Sequence, residues 1–69
     1  MSDLFYDMRE FNADISGWDV SKVTNMNNIF FGCQLFNQDI SKWNVSNVKY
    51  YNEMFKYCHI NKKYNPKFR

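Results

Sequence analysis

The 69-residue chain has few of the residues with which enzymes and nucleotide-binding proteins build their sites. It contains two glycines, one proline and one histidine. A phosphate-binding loop and a dinucleotide-binding turn both need several glycines at fixed spacing, and neither motif is present. His59 has no nucleophile or orienting carboxylate at the spacing of a catalytic motif. The sequence therefore predicts a non-catalytic protein without a cofactor.

Long hydrophobic runs and a secretory signal are missing as well. No apolar stretch approaches the roughly 18 residues that a membrane-spanning helix needs. The first residues do not have the pattern of a signal peptide. The sequence by itself therefore leaves the localisation open and predicts no membrane span.

The chain has two cysteines, Cys33 and Cys58, at equivalent positions of an internal repeat. We predict two packed thiols, because nothing in the sequence indicates secretion. A disulfide is the alternative if their Cα atoms lie within roughly 4.4–6.8 Å. A zinc ion would need two more ligands beside these sulfurs and His59, and the sequence offers none at finger spacing. We therefore expect no metal.

The sequence does contain a clear repeat with a period of 25 residues. FNADISGWDVSKV in the first half of the chain recurs as FNQDISKWNVSNV in the second. The preceding apolar positions recur in three copies: Met1, Leu4, Phe5 and Met8; Met26, Ile29, Phe30 and Cys33; Tyr51, Met54, Phe55 and Cys58. Such a period indicates an array of similar structural units that stack on one another.

The apolar residues at the start of each unit have the i, i+3, i+4, i+7 spacing of an amphipathic helix. We expect helices near 1–8, 26–33 and 50–58, with these side chains facing the core. Gly32 comes where the central helix should end.

Alternating apolar and polar residues follow each predicted helix. Trp43 and Val45 alternate with polar neighbours, as in a strand with one buried face, so strands are expected near 14–20 and 42–46. The predicted fold class is α/β: a short leucine-rich-repeat-like solenoid of under three 25-residue coils, each a short helix plus a short parallel strand. The predicted boundaries are coils 1–25, 26–50 and 51–58, then a degenerate C-terminal cap or basic tail at 59–69.

The expected core has a strand side and a helix side. The strand side consists of Trp18, Val20, Trp43 and Val45. The helix side consists of Met1, Leu4, Phe5, Met26, Ile29, Phe30, Met54 and Phe55. Phe31 is expected at the flank of this core or, alternatively, in a partner contact.

Two equivalent aspartates, Asp14 and Asp39, are expected in turns. There they would accept backbone N–H groups, since like charges stacked along a sheet repel each other. A calcium site is the alternative, although no further acidic residues cluster there.

The segments FNQDISKWNVSNV and FNADISGWDVSKVTNM resemble the 25–26-residue repeats of bacterial surface proteins and mycoplasma lipoproteins. These repeats are similar to the BspA-like branch of leucine-rich repeats, and similar arrays occur in large DNA viruses. The resemblance covers roughly residues 1–58. It implies a solenoid used for adhesion or protein contact, at a cell surface or in a large virus, and it supplies no catalytic residues.

The predicted function is non-catalytic protein binding or assembly, with an unknown protein partner. By leucine-rich-repeat geometry, the outward strand positions would form the recognition face: Ser16, Gly17, Asp19, Ser41, Lys42 and Asn44. The alternative is binding of nucleic acid or an acidic surface by the basic C-terminal tail, since lysines interleaved with aromatics also bind single strands. The residues of that alternative are Lys62, Lys63, Lys67 and Arg69, and nucleic acid is the less favoured partner.

Charge is distributed unevenly along the chain. Residues 1–20 have a net charge of −4 and residues 53–69 a net charge of +4. These are either two solvated faces or opposite ends that favour head-to-tail self-association. Fewer than three full periods leave two ends to cover, so we expect capping by the termini or association with another copy. Because Met1 occupies the repeat position of Met26, we expect either a fragment of a longer array or a small gene product that starts at a repeat boundary.

Overall fold

The computed structural model describes residues 1–68, and over this range the chain folds without α-helices or β-strands. Its one helical element is a 3₁₀ helix at Lys62–Tyr64. One isolated parallel bridge joins Asn25 and Tyr50. The predicted α/β solenoid of helix–strand coils is therefore wrong. The chain is a compact body of 27 × 18 × 18 Å that consists largely of turns.

Turns stand in place of all three predicted helices. They cover residues 2–7, 27–32 and 52–57 and so keep the 25-residue period. Their hydrogen bonds run from an N–H to the carbonyl three residues earlier. Examples are the bonds from Ile29 to Met26 at 3.3 Å and from Cys33 to Phe30 at 3.0 Å. An α-helix would require bonds that span four residues.

Left-handed backbone conformations explain why these segments are not helical. Asn28 and Gly32 have φ angles of 59° and 74°. The equivalent residues of the other repeats share this conformation: Asp3, Asp7, Glu53 and Tyr57. Because an α-helix needs a negative φ throughout, two positive values within five residues interrupt it. A β-turn of type II, by contrast, has a positive φ at its third residue.

The inward orientation of the apolar residues in the second of these segments is confirmed, although the helix is not. Met26, Ile29, Phe30 and Cys33 are all fully buried. A chain of turns therefore brings the i, i+3, i+4, i+7 positions to one side, as a helix would.

Turns also replace the predicted strands. They fall at residues 16–17, 21–22, 41–42 and 46–47. Asp14 accepts from the Ser16 N–H at 3.0 Å and from the Ser16 hydroxyl at 2.7 Å. Asp39 accepts from Ser41 in the same way. The predicted Asx turns are confirmed, and because they bend the chain, no strand of useful length forms.

The three repeats (first, 1–25; second, 26–50; third, 51–68) lie against one another in the order of the sequence. Backbone N–H groups of one repeat donate to carbonyls of the next, 24 residues further along. The donors of the main series are Asp3, Phe5 and Asp7 in the first repeat, and Met26, Asn28, Phe30 and Gly32 in the second, at 2.6–3.1 Å. Outside this series, Ile40 donates to Tyr64, and Leu35, Lys49 and Tyr50 donate in the opposite direction, to carbonyls of the first repeat. We call the main series the backbone row. It satisfies the N–H groups that a helix would have bonded internally.

Aromatic rings stack along the same direction and form the centre of the core. The ring of Phe30 lies 5.7 Å from those of Phe5 and Phe55, and 4.3 Å from that of Phe36. Asparagine side chains add further bonds between repeats, such as that from the Asn37 N–H to Asn12 Oδ1 at 2.9 Å. The second repeat, covered on both sides, therefore holds most of the core.

Two predicted core residues of the first repeat are exposed instead. Trp18 is 45% exposed and Leu4 is 49% exposed. Their equivalents in the second repeat, Trp43 and Ile29, are buried. The Trp43 indole N–H donates to the Ile15 carbonyl at 3.2 Å and thus reaches back into the first repeat.

Candidate contact surfaces

The predicted strands do not form. The six predicted recognition residues therefore lie in turns or directly beside them. Four of the six make hydrogen bonds that stabilise these turns. The hydroxyls of Ser16 and Ser41 donate to aspartates, and Asp19 and Asn44 accept from backbone N–H groups at 3.0 and 3.1 Å. Gly17 and Lys42 are exposed turn residues. Partner binding by these six residues stays a prediction.

The basic residues of the alternative prediction follow the third turn segment. Lys62 and Lys63 begin the 3₁₀ helix, which Asn61 caps by accepting from the Lys63 N–H at 3.1 Å. The Tyr64 carbonyl accepts from the Ile40 N–H at 3.1 Å, so this segment lies against the second repeat. Lys67 is exposed, and Arg69 lies outside the described residues.

The backbone row ends at two opposite faces of the molecule, which present opposite groups. On the first repeat, the carbonyls of Ser2, Leu4 and Tyr6 occupy the positions at which the second repeat accepts. On the third repeat, the N–H groups of Glu53, Phe55 and Tyr57 occupy the positions from which the second repeat donates. Within residues 1–68 none of these six groups has a hydrogen-bond partner. We call the two surfaces the acceptor face and the donor face.

The acceptor face is rich in apolar side chains. Leu4 and Met8 are each 49% exposed, whereas Ile29 and Cys33, their equivalents in the second repeat, are fully buried. Beside Met8, an open groove of about 490 Å³ is lined by Asp7, Met8, Arg9, Glu10 and Phe11. The first repeat therefore presents outward the positions that the second repeat buries.

The donor face contains a second groove, of about 360 Å³, with Tyr51, Phe55, Asn65 and Phe68 in its lining. The rings of Tyr51 and Phe68 stack with centroids 4.0 Å apart. Asn65 occupies the repeat position of Ile15 and Ile40, and its Oδ1 is buried without a hydrogen-bond partner in the described structure. A buried acceptor of this kind is costly unless a donor reaches it.

Sequence reasoning missed these end faces. Leu4 and Trp18 were assigned to the core because their equivalents are core residues. That assignment does not take into account that the outermost repeat has a neighbour on one side only. The replacement of Ile15 and Ile40 by Asn65 was the available signal at the other end. A polar side chain at a core position needs a partner.

A third surface is a row of aromatic side chains that runs across the repeats. Tyr6 stacks on Phe31 at 4.8 Å, and Tyr57 meets Phe31 edge-on at 5.4 Å. Phe31 is half-buried, which agrees with its expected place at the flank of the core. Lys56 Nζ lies 5.5 Å from the centre of the Tyr57 ring, a cation–π contact.

Both cysteines are free thiols, and Cys33 is packed in the core as predicted. Its S–H donates to the Phe5 carbonyl at 3.0 Å. Burial, with a smaller contribution from Cys58, raises the pKa of Cys33 to about 11. Burial also raises the pKa of the half-buried Cys58. Burial thus favours the protonated thiol over the thiolate at both positions.

Two kinds of site are absent from residues 1–68. No three His, Cys, Asp or Glu side chains come together there in a way that could hold a metal ion. No helix there has the length and apolar character needed to cross a membrane.

Stacked turns, a shared backbone row and two complementary end faces define a small repeat protein. The chain belongs to the family described as "Mycoplasma protein of unknown function, DUF285", whose model matches residues 1–67. No curated protein and no solved structure is significantly similar to the chain. The family supports the repeat architecture and assigns no chemistry to it.

Proposed function

We propose that the chain is a non-catalytic protein-interaction and assembly module that makes its contacts through the acceptor and donor faces. The observation that carries this proposal is the difference in burial between equivalent side chains. Leu4, Met8 and Trp18 are about half exposed, while the same positions of the second repeat are buried. Large exposed apolar patches are typical of protein contact sites, and these three side chains are the residues with which we propose that such a patch is built.

The resemblance to BspA-like repeats of bacterial surface proteins supports the same role. Adhesion and protein contact are what that resemblance implies, and the family described above is one of repeat proteins. We extend the proposal to contacts made at a cell surface.

Self-association offers the most direct test of the end faces. Sedimentation equilibrium over a wide concentration range should show reversible association of the chain. The Leu4→Ser, Met8→Ser double variant should stay monomeric, because serines there remove the apolar area that association would bury. Leu35→Ser is the matched control, since Leu35 is exposed but belongs to the second repeat. A chain that is monomeric throughout, or equal weakening by the control, contradicts the proposal.

The turn tips are a second surface for protein contact within this function. Asp19 and Lys42 lie at or next to exposed turns of adjacent repeats and differ in charge. When a protein partner has been identified, replacing both residues should weaken its binding to the chain. Unchanged affinity would mean that this face is not used.

A second candidate function is binding of nucleic acid or an acidic surface through Lys62, Lys63, Lys67 and Arg69. The observation that favours it is the position of Lys63 Nζ, 5.5 Å from the centre of the Tyr64 ring, which puts a cation and a ring side by side. Affinity for a single-stranded oligonucleotide should then fall steeply as salt is raised, because phosphate neutralisation releases counterions. Affinity that does not depend on salt would count against this function.

A further inference from the structure

We infer that the partner of the end faces is a second copy of this chain, docked head to tail so that the 25-residue register continues across the contact. The inference rests on the proposed function, since it requires the end faces to be contact surfaces. It adds the identity of the partner, the register of the contact and the atoms that meet there.

The backbone row supplies the register. In both observed contacts between repeats, the N–H of one residue donates to the carbonyl of the residue 24 positions further along. If a second copy continues the row, Glu53 donates to its Ser2, Phe55 to its Leu4 and Tyr57 to its Tyr6. These are the groups that lack partners within residues 1–68, so every bond of the extended row would use a vacant donor and a vacant acceptor.

The indole of Trp18 gives a second and independent match. Trp43 donates its indole N–H to a carbonyl 28 residues earlier, that of Ile15. If the 25-residue register continues into the second copy, the equivalent partner of the Trp18 indole there is Asn65 of the first copy. There it meets the Asn65 carbonyl, with the buried and unpartnered Oδ1 of the same residue close by. The exposed tryptophan on one face therefore meets the residue on the other face whose side-chain oxygen lacks a partner, and its one N–H has two acceptors within that residue.

Packing and charge favour the same arrangement. The Phe5, Phe30 and Phe55 rings already form a stack with a spacing of 5.7 Å, and Phe5 of the second copy would extend it over Phe55. Residues 1–20 carry a net charge of −4 and residues 53–69 one of +4. Opposite net charges near the two termini favour contact between unlike ends and oppose contact between like ends. Since the contact joins different surfaces, it generates open linear chains rather than closed dimers.

A disulfide between copies tests the register directly. In the inferred contact, Met8 of one copy takes the position beside Cys58 of the other that Cys33 takes within a single chain. The Met8→Cys, Cys33→Ser variant keeps only the introduced thiol and Cys58. Within one molecule these two positions are two repeats apart, about 10 Å at the usual spacing of neighbouring backbones. A disulfide cannot span that distance, so any bridge joins two copies.

Tyr6→Cys, Cys33→Ser is the matched control, because Tyr6 is 50% exposed, as Met8 is, but lies on the aromatic row. Under mild oxidation, the first variant should form a series of dimers, trimers and longer chains on a non-reducing gel. The control should remain monomeric. Equal cross-linking of both variants, or none in the first, overturns the inferred register. Cys33→Ala serves the same purpose should the serine at this buried position prevent folding.

The tryptophan contact can be tested with the native cysteines in place. Trp18→Phe keeps an aromatic ring and removes the indole N–H, so self-association should weaken about five- to tenfold, the usual effect of one hydrogen bond. Tyr50→Phe removes an exposed hydroxyl elsewhere and should leave the affinity unchanged. Self-association that persists without the selective cross-link, and that ignores Trp18→Phe, overturns the register but leaves the assembly role standing. Absence of self-association in the unmodified chain overturns both.

Discussion

The first and second repeats have nearly the same sequence pattern and very different surroundings. Phe30 lies between Phe5 and Phe55 and is fully buried, whereas Phe5 has a neighbouring ring of this stack on one side only. Leu4 is about half exposed, and its equivalent Ile29 is buried. Exposure of Leu4, Met8 and Trp18 therefore follows from the missing neighbour on one side, whereas Phe5 and Ile15 are buried although their repeat has only one neighbour. The same pattern stabilises the core in the second repeat and leaves apolar side chains exposed on the first.

The comparison predicts that stability is concentrated in the second repeat. Phe30→Ala should cost about 3–5 kcal/mol, the usual range for a large core residue, which is enough to unfold a domain of this size. Phe5→Ala should cost less, because one side of that ring lies toward the acceptor face. Leu4→Ala should change stability by no more than about 0.5 kcal/mol, as exposed positions usually do.

Urea unfolding followed by circular dichroism measures all three variants. If Phe5→Ala lowered the free energy of unfolding as much as Phe30→Ala does, the two rings would be equally well covered. That result would contradict the predicted difference between the first and second repeats. Conservative replacement by leucine at both positions keeps the measurement informative should Phe30→Ala not fold at all.

The two glycines lie in very different backbone surroundings. Gly32 has a φ of 74°, and a Cβ at this position would lie 2.7 Å from Asp7 Oδ1 and 3.2 Å from Asp7 Cα in the first repeat. Gly32→Ala should therefore cost about 1–2 kcal/mol from the left-handed conformation, with a further cost from the contact. Gly17 has nothing within 4 Å of its would-be Cβ.

Gly17→Ala is the matched control for this effect. It should be neutral or slightly stabilising, since alanine there only restricts the unfolded chain. Thermal unfolding of the two variants gives the measurement. A neutral Gly32→Ala would show that the first and second repeats do not approach each other as closely as these distances require.

The period and the inward side of the second repeat could be predicted from the sequence, but the secondary structure and the exposure of Leu4, Met8 and Tyr51 could not. Apolar residues spaced i, i+3, i+4 and i+7 fit a helix, and the same spacing also fits successive turns that face one core. The distinction depends on φ at positions such as Asn28 and Gly32. Asparagine and glycine tolerate a positive φ, but only contacts with the neighbouring repeat impose it.

The end faces depend on information that a single repeat does not contain. The exposure of Trp18 could not be read from its match to Trp43, because burial at that position comes from the neighbouring repeat. The Asx turns were predictable, since Asp14 and Ser16 form a local hydrogen-bonding motif that does not depend on neighbours.

The smallest effect is expected at two exposed turns, one with an aspartate and the other with an asparagine as hydrogen-bond acceptor. Hydrogen bonds from the Ser16 hydroxyl and the Ser16 backbone N–H lower the pKa of Asp14 below its ordinary value. A lowered folded-state pKa contributes stability that is complete above the unfolded pKa, about 3.9, and is lost as the pH falls through the folded-state pKa. Asn44 makes the same two hydrogen bonds to Ser46 without a titrating group. Asp14→Asn should therefore flatten the loss of stability in acid, and Asn44→Asp should steepen it, in urea unfolding measured from neutral pH down to about pH 2. Identical acid profiles for both variants and the unmodified chain would mean that these exposed turns contribute equally in either protonation state.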